Sequence, residues 1–127
     1  RQMCIRDSYE DISDTLTSSQ WDAIHSGMRE VVSTMDRFQG FDIPVAGKTG
    51  TAQQTGHANH GLFVGYAPYD DPEITIAVRI ANGYSSHNAA TAARNVISYY
   101  YKETSMKDIK EMKAAGVNGN TRNSVAD

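Results

Sequence analysis

The 127-residue sequence has one cysteine, Cys4, and three prolines. A lone thiol excludes an internal disulfide framework and a cysteine-rich zinc centre. It says little about redox compartment, because many exported bacterial domains carry no disulfide. Charge of one sign is equally scarce: 12 Lys+Arg face 15 Asp+Glu, for a net charge of -3, with no long block of either sign. Gripping a phosphate backbone takes a clustered basic stripe, and none occurs, so no nucleic-acid partner is expected. Long apolar runs are missing too. The longest stretch without Asp, Glu, Lys or Arg, residues 49–69, is full of Gly, Gln, Asn and His. A membrane span needs about 18 or more consecutive apolar residues. The N-terminus carries no apolar segment of the kind a secretory leader needs.

What is present suffices for a core. A hydrophobic fraction of 39% is low for a globular domain, yet a chain of this length buries roughly two-thirds of its unfolded surface when compact. The expectation is one domain, or part of one. Its ends differ from its middle. Residues 1–8, Arg-Gln-Met-Cys-Ile-Arg-Asp-Ser, have no periodicity and no cap signal. They resemble translated sequencing-adapter text and are set aside. Residues 103–127 lose their aromatics and read as a short helix over about 106–115 followed by a flexible tail.

Between them, over 9–102, four elements are predicted. A helix over 19–35 carries Trp21, Ile24, Met28, Val31, Val32 and Met35 at the spacing of one apolar stripe. Thr17 and Gln20 are placed as a capping box at its start. Three strands are predicted over 45–53, 61–67 and 74–81, with Pro68–Pro72 as the tightest joint. Connections this short join neighbouring antiparallel strands. In the third strand Ile74, Ile76, Val78 and Ile80 share one face, and Thr75, Ala77 and Arg79 the other, the pattern of a sheet with one face on a core. A final helix over 88–102 presents Ala89, Ala92, Ala93, Val96, Ile97 and Tyr100 on one side. The order helix, meander, helix predicts an α+β fold, an antiparallel sheet covered by helices.

Chemistry concentrates in Val45-Ala46-Gly47-Lys48-Thr49-Gly50-Thr51-Ala52-Gln53. Glycine is unfavourable in a strand unless a ligand or another backbone approaches closely. A phosphate-cradling loop would need Gly at position 42, where Asp42 stands, and a helix directly afterwards, where a turn is read. Alternation along a strand turns Lys48, Gly50 and Ala52 one way and Thr49 and Thr51 the other. His57 and His60 form the one close histidine pair, but they fall in a turn with no third ligand nearby, so no metal and no cofactor is expected. The loop Asn82–His87 reads as a connector.

Lys48-Thr49-Gly50 followed by Thr51 is a motif of serine acyl-transferring enzymes. With Phe63-Val64-Gly65-Tyr66-Ala67-Pro68, Pro72-Glu73-Ile74-Thr75-Ile76-Ala77-Val78 and the helix Gly27-Met28-Arg29-Glu30-Val31-Val32, it closely resembles the C-terminal third of the transpeptidase domain of class B penicillin-binding proteins. The resemblance spans about residues 16–101. The family often carries Trp where Leu62 stands. The resemblance implies a peptidoglycan D,D-transpeptidase, with β-lactam antibiotics and cell-wall peptide stems as ligands. The remainder of the domain would be a partner, as would proteins of cell-wall elongation or division. Its place would be the extracytoplasmic face of the bacterial cell membrane, through an N-terminal anchor outside this chain. Lys48 would bring positive charge to the cleft. Thr49 and Thr51, with Gly50 between them, would bind the substrate carboxylate, and the Thr51 N–H would be half of an oxyanion hole.

Such chemistry also needs an activated serine, which the family carries in Ser-x-x-Lys with a Ser-x-Asn element. No serine here has Lys three residues later. Ser86-x-Asn88 fits the second element in letters alone, since it follows the Lys-Thr-Gly strand where the family places it before. The chain is therefore expected to be an inactive fragment of an active enzyme. A serine β-lactamase or D,D-carboxypeptidase fragment and a β-lactam sensor domain are the alternatives.

Overall fold

In a computed structural model of the chain, residues 11–111 are described. After a single 3-10 turn at Ser13–Thr15, helix α1 runs Ser18–Ser33, and a second 3-10 turn occupies Asp36–Phe38. Strands β1 (Ala46–Ala52), β2 (His60–Ala67) and β3 (Ile74–Ile80) follow, then α2 (Ser86–Tyr100) and α3 (Met106–Glu111). The three strands form one antiparallel sheet in the order β1-β2-β3. This is the α+β arrangement that the pattern predicts. Cys4, the opening octapeptide, the end of the predicted last helix and the tail lie outside the described residues.

Helix α1 begins where local chemistry says it must. The Gln20 N–H donates to Thr17 Oγ1 at 3.4 Å, and the Thr17 N–H donates to Gln20 Oε1 at 2.8 Å. Two amide donors that a helix start leaves open are thereby satisfied. The predicted stripe is only partly a core face. Val32 is fully buried, Met28, Val31 and Met35 are half-buried, and Ile24 is 44% exposed. Met35 stands beyond the helix, as the cap of the next 3-10 turn.

Across the sheet, Phe63 on β2 is fully buried and faces Thr49 on one side and Val78 on the other. Its face therefore carries Ile74, Ile76, Val78 and Ile80, as the alternation predicts, and these pack against the buried cluster of Val32, Phe38, Val45, Ala89, Ala93 and Ile97. The Phe38 ring stacks on Phe63 at 6.0 Å between centroids. Small side chains on α2 bring that helix close to the sheet. The face of α2 differs from the prediction, however. Ala89, Ala90, Ala93 and Ile97 are buried, whereas Val96 and Tyr100 are 49% and 53% exposed. The Ala-rich arc packs closest, and the bulkier Val96, Tyr99 and Tyr100 are turned to the outside.

On the opposite sheet face Lys48, Val64, Ala77 and Arg79 are exposed, Val64 to 49% although it lies on the central strand, while His25 of α1 packs over Tyr66 at the other end of that face. Helix α1 is tied to the start of β1, where Arg29 Nη1 donates to the Val45 carbonyl at 3.1 Å.

Candidate active site

Strand β1 is an edge strand, so one side of its backbone pairs with β2 and the other pairs with no strand of the described residues. The motif Lys48-Thr49-Gly50-Thr51 occupies its middle. Lys48 is exposed and pairs across the strand with Val64, on the face away from Phe63. Thr49 faces Phe63 and Thr51 faces Gly61, and both threonines are half-buried on the side that α2 covers. The expected division of Lys48 from the two threonines therefore holds for the side chains. The Lys48 ammonium folds back onto the strand and donates to the Thr49 carbonyl at 2.7 Å. Charge and hydrogen-bonding backbone thus meet at one edge, although Lys48 and Thr51 belong to different faces.

The glycines of β1 divide in the same way. A Cβ on Gly47 would run into the Phe63 ring and stand 2.8 Å from the Val64 carbonyl oxygen. Packing within the chain explains that glycine. At Gly50 the nearest atom to an added Cβ would be Leu62 Cβ at 3.6 Å, an ordinary contact. Nothing in this chain demands glycine there.

The far end of β1 is framed by loops that do more than connect. Asn82 and Tyr84 adopt positive φ of 52° and 65°. The Asn82 N–H donates to His60 Nδ1 at 3.0 Å, and the Tyr84 N–H to the Asn59 carbonyl at 3.0 Å. Ser85 caps α2 through the His87 N–H, and the buried Asn88 Nδ2 donates to the Gly83 carbonyl at 2.8 Å. The loop between β3 and α2, expected as a mere connector, is thereby clamped to the β1–β2 connection. His60 serves that clamp, and among the described residues no group of three or more His, Cys, Asp or Glu is placed to hold a metal. Beyond β1 opens a cavity of about 340 Å³ lined by Gln53, Gln54, Thr55 and Asn59. In the sequence Gln54, Thr55 and Asn59 read as turn formers and Gln53 as the end of the strand; the run of carboxamides flanking the connection is the available signal.

On α1, Trp21, His25 and Tyr66 of β2 form a ladder, with centroids 5.9 and 5.7 Å apart. Burial first, and Tyr69 second, push the Tyr66 hydroxyl above the usual phenol range. A second cavity, about 450 Å³ and apolar in character, lies against Ile74, Val96, Tyr99 and Tyr100.

Comparison with known proteins agrees with this fold. The family described as penicillin binding protein transpeptidase domain matches residues 8–98. The peptidoglycan D,D-transpeptidase MrdA of Haemophilus influenzae is 34% identical, over 75% of this chain and 18% of its own length. That of Acinetobacter baumannii is 36% identical, over 66% of this chain and 15% of its own. The crystal structure of Pseudomonas aeruginosa PBP2 in complex with WCK 5153 matches with a TM-score of 0.59 and 35% identity, covering 65% of this chain and 20% of that one. The chain thus spans less than a fifth of the length of the curated relatives it matches.

Proposed function

The chain belongs to the penicillin binding protein transpeptidase domain family, and from that premise we propose that it is one wall of the active-site cleft of a longer peptidoglycan D,D-transpeptidase. The observation that carries the reading is the edge of β1, where Lys48 Nζ and the Thr49 carbonyl meet. Because the Thr49 carbonyl is turned to the lysine, the two-residue alternation of an antiparallel strand places the Thr51 amide on the same edge. A peptide stem laid along that edge would add a strand to the sheet, with Gly50 giving its backbone room.

The roles follow from charge and direction. Lys48 supplies a cation close to the substrate carboxylate, and the hydroxyls of Thr49 and Thr51, on the other face of the strand, approach it across the shared edge. The Thr51 N–H donates to the oxyanion that develops when a serine attacks the carbonyl, a contribution on the order of 3 kcal/mol per donor. That serine and its lysine belong to the part of the enzyme outside this chain. The same part carries the anchor that holds the enzyme at the outer face of the cell membrane. β-Lactams enter as substrate mimics that acylate the serine. Partners in cell-wall elongation or division would bind the longer protein.

A labelled penicillin tests the reading. The full-length enzyme should take up one equivalent covalently, and Lys48→Ala should slow that uptake. The 127-residue chain alone should take up none. A stoichiometric adduct on the chain alone would overturn the assignment of the nucleophile to the rest of the enzyme.

A further inference from the structure

The cavity beyond β1 is lined by two glutamines, one asparagine and one threonine, with no charged side chain among them. A carboxamide offers both a donor and an acceptor, which is the complement of a peptide group or of another carboxamide. It offers no countercharge, so a bare carboxylate or ammonium entering it would lose hydration without being paired. At about 340 Å³ the cavity matches one or two amino-acid residues. Its wall is held in place by the backbone. The His57 N–H donates to the Gln54 carbonyl at 3.4 Å, and the Asn59 carbonyl accepts from Tyr84 at 3.0 Å, so the lining is tied to the clamped loop before α2.

Position then matters. Gln53 follows the last residue of β1 directly, and at about 3.4 Å per residue the path from Thr51, whose N–H takes the reacting carbonyl, to Gln53 is about 7 Å. An extended peptide laid along the edge covers that distance with about two residues on the far side of the reacting carbonyl from Lys48. We infer that the Gln53, Gln54, Thr55 and Asn59 cavity is a subsite for an uncharged, amide-bearing segment of the peptide stem, about two residues from the acylated carbonyl. The inference rests on the cleft-wall reading and adds to it a residue-level source of substrate preference.

The test uses the full-length enzyme with two kinds of probe. One is a fluorescent penicillin. The other is a pair of synthetic stem peptides that differ only in one side chain, carboxamide against carboxylate, placed two residues before the reacting carbonyl. The double variant Gln54→Ala/Asn59→Ala should bind the carboxamide peptide about tenfold more weakly, the loss of one to two hydrogen bonds. Penicillin acylation should stay within about twofold, which also reports that the variant is folded. Gln54→Asn should restore part of the affinity. Unchanged peptide affinity would overturn the inference, as would equal binding of the two peptides by the wild type. A parallel fall in acylation would make the residues structural and overturn it as well. A wild type that takes no penicillin but still shows the carboxamide preference would retire the transpeptidase reading and leave the subsite standing.

Discussion

The Phe63 ring fills the space that a side chain on Gly47 would need, and Gly65, directly across from Gly47, is closed off in the same way. A buried aromatic on the central strand thus fixes a glycine on the edge strand, one residue before Lys48. Gly47→Ala should force the ring or the Val64 carbonyl to move, costing about 1–3 kcal/mol as overpacking does. Gly50→Ala meets only an ordinary contact with Leu62, so it should leave the fold intact. Its cost should be read instead in slower penicillin acylation and a raised KM for peptide. Urea unfolding and labelled-penicillin kinetics on the two variants separate the effects, and a destabilised Gly50→Ala with normal acylation would reverse the assignment.

Lys48 is exposed, and its one described hydrogen bond goes to its own strand. Removing it therefore takes little from the fold. Lys48→Ala should unfold within about 0.5 kcal/mol of the wild type, while the full-length enzyme loses on the order of a hundredfold or more in acylation rate. Lys48→Arg keeps the charge but changes its shape and hydration, and should recover only part of the rate. Equal acylation by wild type and Lys48→Ala would reduce the residue to a solvated edge charge.

The parts of this fold that could be read from the sequence are those set by neighbours in the chain. The capping box depends on Thr17 and Gln20 alone, and the alternation of Ile74, Ile76, Val78 and Ile80 needs no partner strand to be visible. Helix α2 was harder. It carries apolar residues on two arcs, and periodicity favoured the bulkier residues Val96 and Tyr100, whereas close approach to the sheet selects the alanines. Gly47 could not be explained from sequence either, because its reason is a ring sixteen residues away. In the candidate site, the motif was visible as a motif. The carboxamide cavity was not, since turn-forming chemistry and ligand-binding chemistry use the same residues until the loops are folded together.

The start of α1 gives a local prediction. Thr17→Ala removes the acceptor of the Gln20 N–H and loosens the reciprocal bond from the Thr17 N–H to Gln20 Oε1. About 1 kcal/mol should be lost. Thr17→Ser keeps the hydroxyl and should cost much less. Chemical denaturation checks both, and indistinguishable midpoints for wild type and Thr17→Ala would mean that the cap is not formed in solution.

Helix α3 is poised to respond to acid. The Ser105 hydroxyl donates to Asp108 Oδ2 at 2.6 Å, the Ser105 N–H to the same oxygen at 3.2 Å, and the Asp108 N–H returns a bond to Ser105 Oγ at 3.3 Å. The hydroxyl first, and the amide second, hold the Asp108 carboxyl below the usual range. A carboxyl whose folded pKa is depressed stabilises the structure above its unfolded value of about 3.9 and loses that contribution as pH falls through the folded value. Acidification below about pH 4 should therefore fray Met106–Glu111 before it disturbs the sheet. Ser105→Ala removes the hydroxyl and keeps the backbone N–H, so it should move Asp108 part of the way back toward the ordinary carboxylate range. Titration of the Asp108 side chain by NMR decides the matter, because an ordinary value in the wild type would show the helix start to be open already at neutral pH.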